Sequence, residues 1–373
     1  MSQSIISGIE KLPQILREVC CTKLLLVVDS SYPFLNIKEA IEALDVEKIF
    51  FSDFTPNPEY EQVCKGFELF QVEKCDGIIA VGGGSSIDVA KCIKLAVLAQ
   101  EGVNAIIPPL VNSRVELGAG CIPFIAIPTT AGTGSESTHN AVMYYKGAKQ
   151  TVTNDGIMPD YAILEPSVLK TLPLYQKKCT MLDALCQGIE SWWSVNSNEE
   201  SYGYSYETVR LIMQNWRAYI FDNETEAASN IMLAANFSGR AINITQTTAA
   251  HAMSYKITSL YGFPHGHAVA SCLPTIWQYM IGHMDKCIDS RGQAYLLGIF
   301  KKIAETMGED TPSEAIAILC EMMSAMELYS PLSIDRENDL LTLCTSVNPI
   351  RLKNNPILLD NATIRGLYDV IVK

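Results

Sequence analysis

The chain has 373 residues, a formal net charge of -13, 48% hydrophobic and 18% charged residues. That is enough chain for two separate cores, and so acidic a balance argues against a general nucleic-acid or acidic-membrane binder while leaving room for a local basic pocket. No apolar run is long enough to span a membrane, Met1-Ser2-Gln3-Ser4 lacks the features of a secretory leader, and the twelve scattered cysteines (Cys92, Cys272 and Cys344 lie in apolar runs) read as buried thiols of a reducing cytoplasm rather than a disulfide framework.

In chain order, Lys23 to Val28 reads as a strand ending at Asp29. An acidic residue there meets a ribose hydroxyl and repels a 2′-phosphate, or simply caps a turn. Ile37 to Leu44 is predicted helical and Lys48 to Phe51 extended. Thr55-Pro56-Asn57-Pro58 is a stiff turn, and Glu59 to Phe70 an amphipathic helix. Gly77 to Val81 is a buried strand, followed by Gly82-Gly83-Gly84-Ser85-Ser86-Ile87-Asp88 and a helix from Ile87 to Leu98. Glycines between a strand and a new helix let backbone approach a ligand where free N–H groups converge, which suits a phosphate or pyrophosphate better than a plain turn would. The stretch is neither G-x-G-x-x-G nor a Walker loop.

Periodicity fades from Gln100 to Gly120, where a loop or short helix is expected. Pro123 to Ile127 is again a strand, feeding Pro128-Thr129-Thr130-Ala131-Gly132-Thr133-Gly134-Ser135-Glu136, a second turn whose hydroxyls and amides suit a nucleotide pocket. Lys149 either reaches an anionic cofactor or is solvated. Ala162 to Leu164 is a last strand. The β-α alternation predicts a parallel sheet with helices on both faces, and the domain boundary is placed at 165. Beyond it the chain reads as helix: Met181 to Val195, Tyr202 to Tyr219, Glu224 to Ile244, Pro274 to Tyr279, Gln293 to Met307, Pro312 to Met326 and Arg336 to Val347.

In that half, Asp183 and Gln187 share a helix face, and three of the five histidines lie at His251, His265 and His267. One carboxylate with two imidazoles suits a divalent transition metal, with Gln187 adding an amide oxygen. Buried, hydrogen-bonded polar residues would give the same spacing.

The glycine turn, the run from Phe124 to Glu136, and His251-Ala252-Met253 through Pro264-His265-Gly266 resemble the iron-containing (group III) alcohol dehydrogenases, over nearly the whole chain. The resemblance implies an α/β Rossmann-like dinucleotide domain (1–165) followed by an all-α metal- and substrate-binding domain (166–373), a dehydroquinate synthase-like architecture with the active site in the cleft between. It implies Asp183, Gln187, His251 and His265 as metal ligands for Fe²⁺ or Zn²⁺. It also implies Asp29, Asn57, Gly83, Gly84, Ser85, Asp88, Thr129, Thr130, Thr133 and Lys149 as contacts to NAD(P), with Asp29 favouring NAD(H). A soluble homodimer acting on a small aldehyde or alcohol is expected. Two positions depart from the family pattern: Gln187 stands where a histidine is usual, which weakens and hardens the site, and Tyr255 where another histidine is frequent. Tyr255, His267 and Lys256 are therefore the catalytic candidates, the first two as proton carriers.

The sequences around Asp183 to Ser197 and Met253 to Ser259 are more similar to one branch, the phosphonoacetaldehyde reductases, which make 2-hydroxyethylphosphonate. Lys256 and Arg240 would then face the phosphonate, or be ordinary surface and interhelical charges. A dehydroquinate-synthase-like lyase, which shows no net NADH turnover, and a non-catalytic nucleotide-binding relative, suggested by Gln187, are the alternatives.

Overall fold

Short apolar runs bounded by turn residues build a six-stranded sheet in the first half of the chain. The computed structural model describes residues 3–99, 102–106 and 121–373. The strands are β1 (Ser4–Ser7), β2 (Lys23–Val28), β3 (Glu47–Phe51), β4 (Gly77–Gly82), β5 (Phe124–Pro128) and β8 (Tyr161–Leu164). They run parallel in the order β1-β8-β5-β4-β2-β3. The central strands are apolar throughout because helices cover both faces. Helices α1 (Leu12–Glu18), α2 (Lys38–Glu42), α3 (Tyr60–Glu73) and α4 (Gly84–Leu98) complete the winding. The helix expected over Ile37 to Leu44 is only α2, and most of the Gln100 to Gly120 stretch lies outside the described residues, apart from a short 3₁₀ turn at Gly102–Ile106.

The chain order reverses between β2 and β4. In an open α/β sheet that switch point leaves a crevice beyond the carboxyl ends of the two strands. Asp29 follows β2 and the glycines end β4, so topology alone brings them together.

An antiparallel hairpin, β6 (Asn140–Tyr145) and β7 (Ala148–Thr153), was not visible in the sequence. Its turn is Lys146-Gly147, both at positive φ (51° and 74°). Lysine there gives none of the usual asparagine or aspartate signal for such a turn. Lys149 thus sits on a strand, opposite Tyr144.

The second unit, Pro173–Lys373, is helical: α5 (Leu174–Trp193), α6 (Glu199–Arg217), α7 (Thr225–Thr245), α8 (Ala249–Tyr261), α9 (His265–Gly282), α10 (Gln293–Met307), α11 (Pro312–Ala325), α12 (Arg336–Ser346), α13 (Pro349–Leu352) and α14 (Asn361–Ile371). The first unit ends at Leu172, a little beyond the composition change at 165. Buried Trp193, Trp277 and Phe300 pack edge-on or tilted against one another, with centroids 5.5 to 6.1 Å apart.

Helix α9 differs most from expectation. Pro274 reads as a helix start, yet it lies inside α9, which begins at His265 with Pro264 as its N-cap. The Pro264–His267 segment is thus mostly the first turn of a helix. Gly266 explains why that turn lies where it does: a Cβ there would stand 1.9 Å from the Cys179 carbonyl oxygen and 2.8 Å from Asp183 Cβ. Only glycine lets the start of α9 press onto α5.

All twelve cysteines are free thiols; Cys92 and Cys272 are buried, Cys344 only partly. Among the described residues no helix is long and apolar enough to cross a membrane.

Candidate functional site

In the first unit, Asp29 and Ser86 hold the glycine turn. Gly83 N donates to Asp29 Oδ2 at 3.3 Å and Ser86 Oγ to the same oxygen at 3.1 Å, while Asp29 Oδ1 accepts from Ser31 N at 2.8 Å. A Cβ on Gly82 would lie 2.1 Å from Ser86 Oγ and 2.6 Å from Asp29 Oδ2. So glycine is what allows Asp29 to reach the turn. Gly83 caps α4 without a side chain, and no acidic residue occupies the first helical turn. A helix start with no side-chain cap and no acidic residue in its first turn suits an anion.

The second turn lies against the first. Thr129 N donates to Gly82 O at 3.0 Å, and the Thr130 and Thr133 side chains come within 3.6 Å and 3.0 Å of where Cβ atoms on Gly83 and Gly84 would be. Asn57, at φ 60°, donates its N–H to Ser85 Oγ at 3.4 Å. Eight of the ten expected cofactor residues, Asp29, Asn57, Gly83, Gly84, Ser85, Thr129, Thr130 and Thr133, thus lie at or beside this turn region, while Lys149 lies on the hairpin. Asp88 is committed inward, accepting from Ser135 Oγ at 2.6 Å and Val142 N at 3.0 Å. Burial raises its pKa against the opposing pull of Lys91.

In the second unit, Asp183, His251 and His265 form a cluster whose donor atoms lie within 4.8 Å of one another. His251 Nε2 is 3.4 Å and His265 Nε2 3.9 Å from Asp183 Oδ1. Donors bonded at about 2.1 Å to one ion spread over roughly 4 Å, so small side-chain movements close the set. Asp183 and His251 are buried, and His265 is partly open.

The surroundings fit a metal ion. Glu190, fully buried on α5, accepts from Thr248 Oγ1 at 2.6 Å and Ala250 N at 2.7 Å, and also meets His251 Nδ1. That contact fixes the imidazole and turns Nε2 toward Asp183. His251 Nε2 is buried with no hydrogen-bond partner, a cost that a ligated cation removes. One carboxylate and two imidazoles, with His265 partly exposed, suit the three-ligand pattern of a catalytic site better than the closed four-ligand pattern of a structural one.

Beside the cluster, Gln187 Oε1 accepts from Ser238 Oγ at 2.8 Å and its Nε2 faces Asp183 Oδ2 at 3.5 Å. Tyr255 lies parallel to His265, with centroids 5.5 Å apart and planes 5° from coplanar. His267 is held on both nitrogens, by Tyr175 OH and the Tyr329 carbonyl, each at 2.9 Å, and stacks on Phe263. Burial lowers its pKa against the opposing pull of the Tyr329 carbonyl. Lys256 is partly exposed on α8. Arg240 stands over the Tyr204 ring, 5.6 Å from its centroid. Glu190 escaped the sequence reading although it lies on the face of Asp183 and Gln187, at i+7 and i+3; a carboxylate inside Gly188-Ile189-Glu190-Ser191-Trp192-Trp193 was the available signal.

Residues 3–166 match the family described as iron-containing alcohol dehydrogenase, and residues 178–371 match its C-terminal part. The chain belongs to the iron-containing alcohol dehydrogenase family. It is accordingly an NAD(P)-dependent oxidoreductase acting on alcohol or aldehyde groups, and its chemistry is metal-dependent. Among curated relatives, a phosphonoacetaldehyde reductase of Streptomyces viridochromogenes is 31% identical over 311 residues, covering 79% of this chain and 75% of the relative. An NAD-dependent methanol dehydrogenase of Bacillus methanolicus is 28% identical, covering 79% and 73%. Among solved structures, a sulfoacetaldehyde reductase from Bifidobacterium kashiwanohense in complex with NAD+ shares the fold at TM-score 0.86 and 23% identity, covering 99% and 96%. An iron-containing alcohol dehydrogenase from Thermococcus thioreducens does so at TM-score 0.86 and 22% identity, covering 99% and 98%.

Proposed function

We propose that this enzyme uses NADH to reduce phosphonoacetaldehyde to 2-hydroxyethylphosphonate. Aldehyde, NADH and one proton give alcohol and NAD+. The observation that carries the substrate is the 31% identity, over 79% of the chain, to a relative named for that reaction. The family spans substrates as different as methanol, so the substrate rests on this likeness and not on membership alone.

When bound, NADH supplies the hydride and a divalent ion polarises the aldehyde oxygen. Asp183, His251 and His265 hold the ion, and Glu190 keeps His251 Nε2 aimed at it. An oxygen-nitrogen-nitrogen donor set suits Fe²⁺ and Zn²⁺ alike. The amides at the start of α4 and the hydroxyls of Thr129, Thr130 and Thr133 receive the pyrophosphate. Asp29 receives the ribose hydroxyls and repels a 2′-phosphate, which favours NADH over NADPH. The product oxygen takes its proton from Tyr255 or from water; His267 would lose a hydrogen bond to Tyr175 or Tyr329 to act. Lys149 lies near enough to Asp88 to oppose, with Lys91, the burial that raises its pKa, and serves as a cation beside the nucleotide turn.

The test is NADH oxidation with phosphonoacetaldehyde beside neutral aldehydes of similar size, using protein that is as purified, chelated, or reloaded with Fe²⁺ or Zn²⁺. Preference for the phosphonate that vanishes on chelation supports the reading. Equal or faster turnover of neutral aldehydes overturns the substrate and leaves family chemistry intact.

A further inference from the structure

A dianionic headgroup has to be met by a cation, all the more on a chain carrying -13 overall. Most arginines of the second unit are committed elsewhere. Arg291 binds Asp289 and the Ser194 and Ser197 carbonyls. Arg336 binds Asp369, Arg365 binds Glu337 and Arg210 binds Glu207. Arg217 lies over Trp216, and Arg240, the sequence candidate, over Tyr204. Arg351 borders the cluster through Tyr255. Its guanidinium lies over the Tyr255 ring, 5.6 Å from the centroid, and Tyr255 is itself parallel to the ligand His265 at 5.5 Å.

The segment that carries Arg351 is fixed. Asn348 Oδ1 caps α13 by accepting from Ile350 N at 2.9 Å. Just beyond, Asn354 Oδ1 accepts from Asn196 Nδ2 at 3.0 Å, its Nδ2 donates to the Thr247 carbonyl at 3.2 Å, and its carbonyl takes Val195 N–H at 3.1 Å. These bonds tie the residues after α13 to the end of α5 and the approach to α8, the two helices that carry Asp183 and His251. Arg351, Tyr255 and His265 are each partly accessible, as a substrate subsite requires.

We infer that Arg351 is the specificity-determining residue of this enzyme: it receives a tetrahedral oxyanion, phosphonate or sulfonate, on the far end of a two-carbon aldehyde whose carbonyl faces Asp183, His251 and His265. This rests on the reading of the enzyme as a reductase of a charged aldehyde, and narrows it. A planar guanidinium offers two parallel N–H donors to such a group, a geometry that lysine lacks. Packing on Tyr255 holds that plane in place before the substrate arrives.

The experiment compares wild type, Arg351→Gln and Arg351→Lys on phosphonoacetaldehyde, sulfoacetaldehyde and 3,3-dimethylbutanal, the neutral isostere. The readout is the ratio of kcat/KM for each charged aldehyde to that for the neutral one. Arg351→Gln is expected to collapse the ratio by about 100-fold, mostly through KM, because a remote group bound equally in ground and transition states acts there. Arg351→Lys is expected to restore part of it, about tenfold. The two charged arms separate phosphonate from sulfonate as the preferred headgroup. A wild type that prefers the charged aldehydes with an Arg351→Gln ratio unchanged overturns Arg351 alone. Equal loss on all three aldehydes also overturns it, since that marks a structural role. A wild type that prefers 3,3-dimethylbutanal overturns the charged-substrate reading and this inference with it.

Discussion

Gln187 and Ser238 are joined across α5 and α7 by a 2.8 Å hydrogen bond to the Gln187 amide oxygen. That oxygen is the only atom of the amide able to bind a cation. With that oxygen engaged by Ser238, the amide is expected to support Asp183 as an outer partner rather than complete the donor set. Gln187→Ala is then expected to weaken Co²⁺ binding by only about tenfold, the scale of an outer partner, whereas Asp183→Ala should abolish it. Gln187→His adds an imidazole to the set and is expected to tighten binding. Spectrophotometric Co²⁺ titration reads all three. A loss in Gln187→Ala as complete as in Asp183→Ala would make Gln187 a direct ligand.

Glu190 acts on the ion through His251. Glu190→Gln keeps a side-chain oxygen for Thr248 and Ala250 but removes the charge that orients and enriches the imidazole. We expect metal affinity to fall about 10- to 100-fold with the fold retained, as judged by circular dichroism and by metal content after dialysis against a graded chelator. Undiminished affinity would show that packing alone orients His251.

The same carboxylates set a pH dependence in the ion-free protein. Burial is the largest influence on His251 and pulls its pKa down, but Glu190 and Asp183 together outweigh it and raise it from 6.5 to about 10. A raised folded-state pKa means that the imidazolium pairing stabilises fully below pH 6.5 and is lost as pH rises toward 10. Chelated protein is therefore expected to lose thermal stability between pH 7 and 10, and metal-loaded protein to be less affected. Metal binding must also displace that proton, so affinity should rise by about tenfold per pH unit over the neutral range. A pH-independent dissociation constant would show that His251 is already neutral.

The parallel sheet and the helical half were legible because their apolar runs and periods are long. The glycine turn between β4 and α4 was legible because glycines between an apolar strand and a periodic helix leave few structural alternatives. What escaped depended on three-dimensional packing. The Lys146-Gly147 hairpin uses an uncommon turn residue. Helix α9 passes through Pro274, and its position depends on a contact between Gly266 and Cys179, 87 residues apart in sequence by their numbers. His251 and His265 announced themselves by rarity. Glu190 and Arg351 did not, since one reads as a lone charge in an apolar run and the other as an ordinary charge near the C-terminus, and only the fold brings them to His251 and Tyr255.

Lys91 links the two nucleotide turns from inside the first unit. Fully buried on α4, it donates to the carbonyls of Ser135 at 2.6 Å and Asn140 at 2.7 Å and to Thr138 Oγ1 at 2.9 Å. The helix that starts at the first turn thereby holds the end of the second. Burial lowers its pKa to about 8, against the opposing charges of Asp88 and Glu136. Lys91→Met fills similar space but removes the ammonium that the Ser135 and Asn140 carbonyls share, at a cost of about 1–3 kcal/mol. We expect a lower Tm and NADH binding at least about tenfold weaker by fluorescence titration, with metal content retained because the ligands Asp183, His251 and His265 belong to the second unit. A lower Tm with unchanged NADH affinity would show that the Thr129–Thr133 turn keeps its shape without Lys91, and that the lysine serves stability alone.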